Sequence, residues 1–329
     1  MTIKFNNVFI EEVSTVSGPL VKDGPLKENI DYVYNDYYDN EDTFEKCEIK
    51  ELTRTINIIL EKSKLKIKDI DFCISSDLIN QLTISNLTLK NIDIPNIGVY
   101  SACASACEEL IISSNFISSK KSKRILNVVS TSTLTVERQF RNPVEYGMPK
   151  NKNNSLTITS SCAILTSNKK SNIKITSGTI GKIVDLGIKD PNKMGIIMAP
   201  SCAETIYNHL NDLKIKSDYY DLILTGDLGE IGLEIMKEYI YEKYNITFKN
   251  IKDSSTMIYD KKIQDEIQGG SGPSCIMFVL NTYVIPMMKE KKLKRVLLVS
   301  TGCLLSTTMI NQGFTIPSIS HAISLEAIE

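Results

Sequence analysis

One internal duplication constrains what this chain can fold into. The segment from Asp71 to Leu78, Asp-Phe-Cys-Ile-Ser-Ser-Asp-Leu, recurs as Asp221 to Leu228, Asp-Leu-Ile-Leu-Thr-Gly-Asp-Leu, and each copy is a short apolar run stopped by small residues and Asp-Leu. A second pair follows in the same order. Lys121-Ser-Lys-Arg124 leads into Ile125, Leu126, Val128 and Val129 and ends at Ser130-Thr131, and Lys292-Leu-Lys-Arg295 leads into Val296 to Val299 and ends at Ser300-Thr301. Apolar runs of four to five residues ending in polar tips read as buried strands. Between the two motifs of each half a small-residue stretch opens an amphipathic helix, at Ser101 to Cys107 and at Gly269 to Cys275. Strand, tight loop, helix and strand thus occur twice, which predicts parallel βαβ pairing in sheets covered on both faces. The polar link Asn168 to Asn172 divides the halves, residues 1–167 and 168–329.

Composition narrows the function. Lys and Arg total 38 against 39 Asp and Glu, a net charge of −1, so no global field attracts nucleic acid or an anionic membrane. No run approaches the roughly 18 apolar residues of a membrane span, and no secretory signal opens the chain. The expectation is a soluble cytoplasmic protein whose membrane association is indirect. Eight cysteines without a CxxC pair read as reduced, mostly buried thiols, and two histidines leave no zinc-finger spacing, so no metal site is expected.

A duplicated α/β chain with a cysteine opening a buried helix in its first half resembles the thiolase superfamily. Finer motifs run along the whole chain: Lys22-Asp-Gly-Pro-Leu26, Asp77-Leu-Ile-Asn80-Gln81, Glu137-Arg-Gln-Phe-Arg141 with Pro143 and Glu145-Tyr-Gly147, Gly181 to Gly187, Asp190-Pro191 with Met194-Gly195, Met198-Ala-Pro200, Gly226-Asp227-Leu228, and Thr301-Gly302 with Leu305-Ser306. In order and number they are similar to the stage V sporulation protein AD family. That resemblance implies a thiolase-like fold of two similar halves in five αβαβα layers. It also implies a non-catalytic spore protein that binds dipicolinic acid (pyridine-2,6-dicarboxylate), free or as its calcium chelate. Such a protein acts beside other stage V sporulation proteins of the same transport set, which move the compound across the inner spore membrane. A homodimer is expected on the same ground, peripheral to that membrane through its partners. No cofactor is implied, and calcium enters only with bound dipicolinate.

The candidate site begins at Cys103, among small residues before a helix whose N-terminus favours a thiolate or a ligand carboxylate alike. A thiolase-type enzyme would use this cysteine as nucleophile, and it needs a base. The loop that carries a histidine in thiolases reads Gly269-Gly270-Ser271-Gly272 here, and Gly270 and Ser271 join the candidate ligand set. His209, in a polar helical stretch, reads as exposed, and His321 as structural. Ser130, Thr131 and Ser132 follow a strand whose carboxyl end should line the crevice, or they tie down a turn. Where the family pattern often carries a histidine this chain has Ser132, one ligand donor fewer.

Arginine occurs five times. Arg138 and Arg141 suit a dicarboxylate because each planar fork can grip one carboxylate, or they pair with Glu137 or Glu145. Asp77 with Asn80 lies at a strand tip, to touch ligand or cap the next helix. Asp227 repeats it, which favours a structural use of both. The alternative reading is an acyltransferase with Cys103 as nucleophile and Cys303 or a water as base. A third is a structural partner with a vestigial pocket.

Overall fold

The strands expected from the duplication form, with more around them than the duplication announced. The computed structural model describes residues 1–140, 155–260, 262, 264 and 269–328. Arg141, Pro143, Glu145 and Gly147 lie outside the described residues.

In the first half the elements are β1 (Thr2–Lys4), β2 (Phe9–Ser17), β3 (Tyr32–Val33), α1 (Phe44–Ser63), β4 (Phe72–Ser76), α2 (Thr83–Leu89), β5 (Asn96–Gly98), α3 (Ser105–Ser118), β6 (Arg124–Thr131), α4 (Thr133–Phe140), β7 (Leu156–Thr157) and β8 (Ser160–Ser167). The second half has β9 (Ile173–Ile180), α5 (Met194–Leu213), β10 (Leu222–Thr225), α6 (Gly229–Tyr244), β11 (Ile251–Asp253), β12 (Gly270–Ser271), α7 (Pro273–Val279), α8 (Ile285–Lys289), β13 (Arg295–Cys303), α9 (Thr307–Asn311) and β14 (Ser318–Ala327).

The main strands run in the order β11-β10-β13-β14-β9-β2-β8-β6-β4-β5. Number the five strands of each half in chain order. Both halves then read third, second, fourth, fifth, first from the outer edge inward, and they meet where Phe9 of β2 pairs with Lys174 of β9. The three outer strands of each half are parallel, as the βαβ pattern predicts. The two inner strands are antiparallel to their neighbours, so the sheets are mixed rather than wholly parallel.

The duplicated motifs explain each other. Asp71, one residue ahead of β4, accepts hydrogen bonds from the backbone N–H groups of Lys123 (2.5 Å) and Arg124 (2.9 Å) at the start of β6. Asp221 does the same for Lys294 (2.7 Å) and Arg295 (2.9 Å) at the start of β13. Each acid therefore sets the register of its own strand against the fourth strand of its half.

Five layers result. α1 and α2 cover the outer face of the first half's strands, α5 and α6 cover that of the second, and α3 and α7 lie between, each touching strands of both halves. On α1, Leu52, Ile56 and Ile59 form one stripe against Cys73, Leu126 and Val128, each such side chain contributing about 1.5–3 kcal/mol of burial. Thr43 caps that helix by accepting from Lys46 N–H. α3 keeps an amphipathic pattern, with its less buried side at Glu108, Ile112, Asn115 and Phe116, whereas every residue of α7 is buried and that helix has no solvent face.

Candidate functional site

The loops that open the two central helices face each other. Ala102, just before Cys103, takes a left-handed conformation with φ of 50°, and Ser101 N–H bonds to the Ser105 hydroxyl at 2.8 Å. The turn is held by the other half: Ser300 donates to the Ala104 carbonyl (2.8 Å) and accepts from Cys107 N–H (3.2 Å). Gly302 lies so close that a Cβ there would sit 2.3 Å from the Ser101 carbonyl oxygen. The arrangement is reciprocal. Thr131, at the end of β6, bonds to the Ser274 hydroxyl and lies against Gly272, whose φ is +107°. Thr131 and Ser300 are thus clamps on the facing loops, whereas Ser130 turns the other way and donates to Glu48 on α1 at 3.0 Å.

A cavity of about 480 Å³ opens between these loops, within the usual range for small-molecule sites. Cys103 and Ser271 line it, with Asp227, Glu230 and Cys303, and much of the wall is apolar, including Leu78, Phe140, Met194, Met198 and Leu304. Lys193 is the one basic residue among the described lining residues.

Asp227 takes φ of 66°, and its carboxylate accepts from Gly272 N–H at 2.7 Å. Its charge acts on the nearby thiols of Cys103 and Cys275. Burial pushes its pKa up to about 7. Burial, and then the Asp227 charge, hold the Cys103 thiol well above its ordinary value. The expected help of the α3 N-terminus is outweighed, and the thiol stays protonated. Of the eight cysteines Cys103 alone is only half-buried, and none is in a disulfide.

Neither histidine lines the cavity. His209 is fully buried rather than exposed, its ring held between the Thr179 hydroxyl (2.7 Å) and the Tyr220 hydroxyl (2.6 Å), because α5 turns that face toward the sheet. His321 accepts from Gly181 N–H at 3.3 Å. Burial lowers both to about 4, so both are neutral.

Several sequence candidates stand elsewhere. Asp77 is a cap, accepting from Ile79 N–H, Ser85 N–H and the Ser85 hydroxyl. Asn80 lines an adjoining groove instead. Ser132 is buried in the turn that starts α4, its carbonyl accepting from Thr135 and Val136. Arg138 pairs with Glu45 on α1 and lies over the Phe44 ring, which directs its fork away from the cavity. Gly270 lies against Ile258 and Cys275.

The sequence reading missed Asp227 as a site residue by treating it as a copy of Asp77. It also passed over the role of Met194, Gly195 and Met198, which line the cavity although their motifs were among those that carried the family resemblance.

The chain matches the stage V sporulation protein AD family profile over residues 1–326. It belongs to that family. It is 38% identical over 320 residues to stage V sporulation protein AD of Bacillus subtilis (strain 168), covering 97% of this chain and 94% of the relative. Among solved structures, a single-residue variant of Xanthomonas campestris OleA aligns with a TM-score of 0.64 at 14% identity, covering 98% of this chain and 97% of that one. The 3-oxoacyl-[acyl-carrier-protein] synthase III of Aquifex aeolicus VF5 aligns with a TM-score of 0.57 at 14% identity, over 97% and 99%. At such identity the likeness establishes the fold, which is thiolase-like. Among the described residues no helix is long and apolar enough to cross a membrane.

Proposed function

We propose that this sporulation protein binds dipicolinic acid in the cavity beside Cys103, free or as its calcium chelate, without chemical turnover. The observation that carries this reading is the partner of Cys103: a buried carboxyl at Asp227, which keeps the thiol protonated, where nucleophilic catalysis would need a base that takes its proton. A protonated thiol, a hydroxyl at Ser271 and a mostly apolar wall make a binding pocket. Lys193 at its rim supplies positive charge for an anion. In this reading the protein is a homodimer that works with other stage V sporulation proteins in moving the compound across the inner spore membrane, and meets that membrane through them.

The second reading is acyl transfer through Cys103. It is favoured by one observation, that Cys303 lines the same cavity. Calorimetric titration with pyridine-2,6-dicarboxylate, with and without calcium, tests both, with the 3,5-isomer as control and acyl-CoA incubation followed by intact-mass measurement. Saturable binding selective for the 2,6-isomer, with no acyl adduct, supports the first reading. Absence of binding together with an adduct on Cys103 that is lost in Cys103→Ala overturns it in favour of the second.

A further inference from the structure

Beside the cavity runs a groove of about 550 Å³ lined by amides and hydroxyls, among them Asn80, Gln139, Ser306 and Thr308, with no charged residue among its described lining. Tyr100, Phe140 and Leu305 line both spaces. The two rings therefore stand between groove and cavity. Tyr100 is 46% exposed although it lies at a cavity, so much of its surface has no protein neighbour.

Both rings are held from one point. The Leu78 carbonyl accepts from the Gln139 side-chain amide at 2.8 Å and, at longer range, from the Tyr100 hydroxyl at 3.5 Å. The Gln139 carbonyl oxygen in turn accepts from Asn80 N–H at 2.8 Å. This bridge ties the last turn of α4, and with it Phe140, to the turn after β4. Phe140 packs against the buried cluster of Leu78, Ala102 and Val136.

We propose that Tyr100 and Phe140 determine specificity by taking a flat aromatic ring at the mouth of the cavity, and that Gln139 is the residue that positions Phe140. The inference rests on the binding reading above and deepens it, since it names the part of an aromatic dicarboxylate that the site recognises. A carboxylate pair can be bound by any suitable array of donors, whereas ring-on-ring contact adds attraction that a saturated ring of the same size cannot return. A groove with no charged residue among its described lining lets the anion approach there without passing a carboxylate.

The test compares pyridine-2,6-dicarboxylate with its ring-saturated counterpart, piperidine-2,6-dicarboxylate, by calorimetry on wild type, Tyr100→Leu, Phe140→Leu, Tyr100→Phe and Gln139→Ala, each checked for a native thermal transition. Wild type is expected to prefer the aromatic ligand. Each leucine variant should bind it roughly three- to tenfold more weakly with the saturated ligand unchanged, and Tyr100→Phe should keep the preference. Gln139→Ala, which removes no ring, should also lower the aromatic-to-saturated ratio, and it carries the test if a leucine variant does not fold. Variants that keep the wild-type ratio, or lose both ligands equally, overturn the proposal while leaving the binding reading intact. Wild type that binds neither ligand overturns both.

Discussion

The Asp227 carboxyl and the Cys103 thiol line one cavity from opposite halves of the chain, and the charge of the acid bears on the thiol. The acid titrates near 7 and raises the thiol's pKa, so its charge opposes thiolate formation above neutrality. Asp227→Asn is expected to speed alkylation of Cys103 by iodoacetamide roughly tenfold at pH 8.5, because the charge that opposes the thiolate is gone. Little effect is expected at pH 6, where the wild-type acid is already protonated. Site-resolved mass spectrometry reads the rate. Equal rates at pH 8.5 would remove Asp227 from the account.

Glu48 is buried on α1, where it accepts from the Ser130 and Thr135 hydroxyls. Burial, and then the nearby Asp77, push it up to about 8. The folded state therefore holds a proton that the unfolded chain has released between about 4.5 and 8. The resulting stability is complete below the lower value and is lost as pH rises through the upper one. Glu48→Gln should leave the thermal midpoint near wild type at pH 5 and raise it by ~2–4 °C at pH 8.5. A pH-independent difference in scanning calorimetry contradicts this.

Gly302→Ala places a methyl 2.3 Å from the Ser101 carbonyl oxygen, a backbone atom with no freedom to give way. A cost of about 2 kcal/mol or more is expected, together with displacement of the Cys103 turn and loss of ligand binding. Gly226→Ala is the control, since its Cβ would come no nearer than 3.4 Å to a side-chain atom of Ile276. Urea denaturation of the two variants should separate them clearly.

Asp71→Ala and Asp221→Ala each remove an acceptor of two backbone N–H groups. Each should cost about 1 kcal/mol. Because they act in different halves, the double variant should show the sum in urea denaturation. A markedly non-additive result would mean that the two halves unfold with their strand registers coupled.

These two aspartates also show why so much of the fold was legible. An acid, an apolar run and a Lys-Arg lead-in repeat in order because one pair of strands is built twice, and sequence spacing preserves that directly. The antiparallel β8 and β14 were invisible at that level, since nothing in Ser160 to Ser167 or Ser318 to Ala327 states the direction in which a strand is entered. The site was legible only in part. Cys103 and Ser271 stand in small-residue loops that mark close backbone approach. Asp227 looks like its copy Asp77, and only the opposed loop before α7 turns one acid to the cavity while the other caps a helix. Arg138 was read from its chemistry, but a guanidinium reaches whichever carboxylate is nearest, and that is Glu45 on a neighbouring helix.

The strand order repeats unchanged across the junction of β2 and β9, and the loops before α3 and α7 meet at a cavity to which both halves contribute. Neither repeat owns that cavity. Because its walls come from different repeats, a change in one wall need not be matched in the other, and a thiol at Cys103 can stand opposite a glycine turn at Gly272.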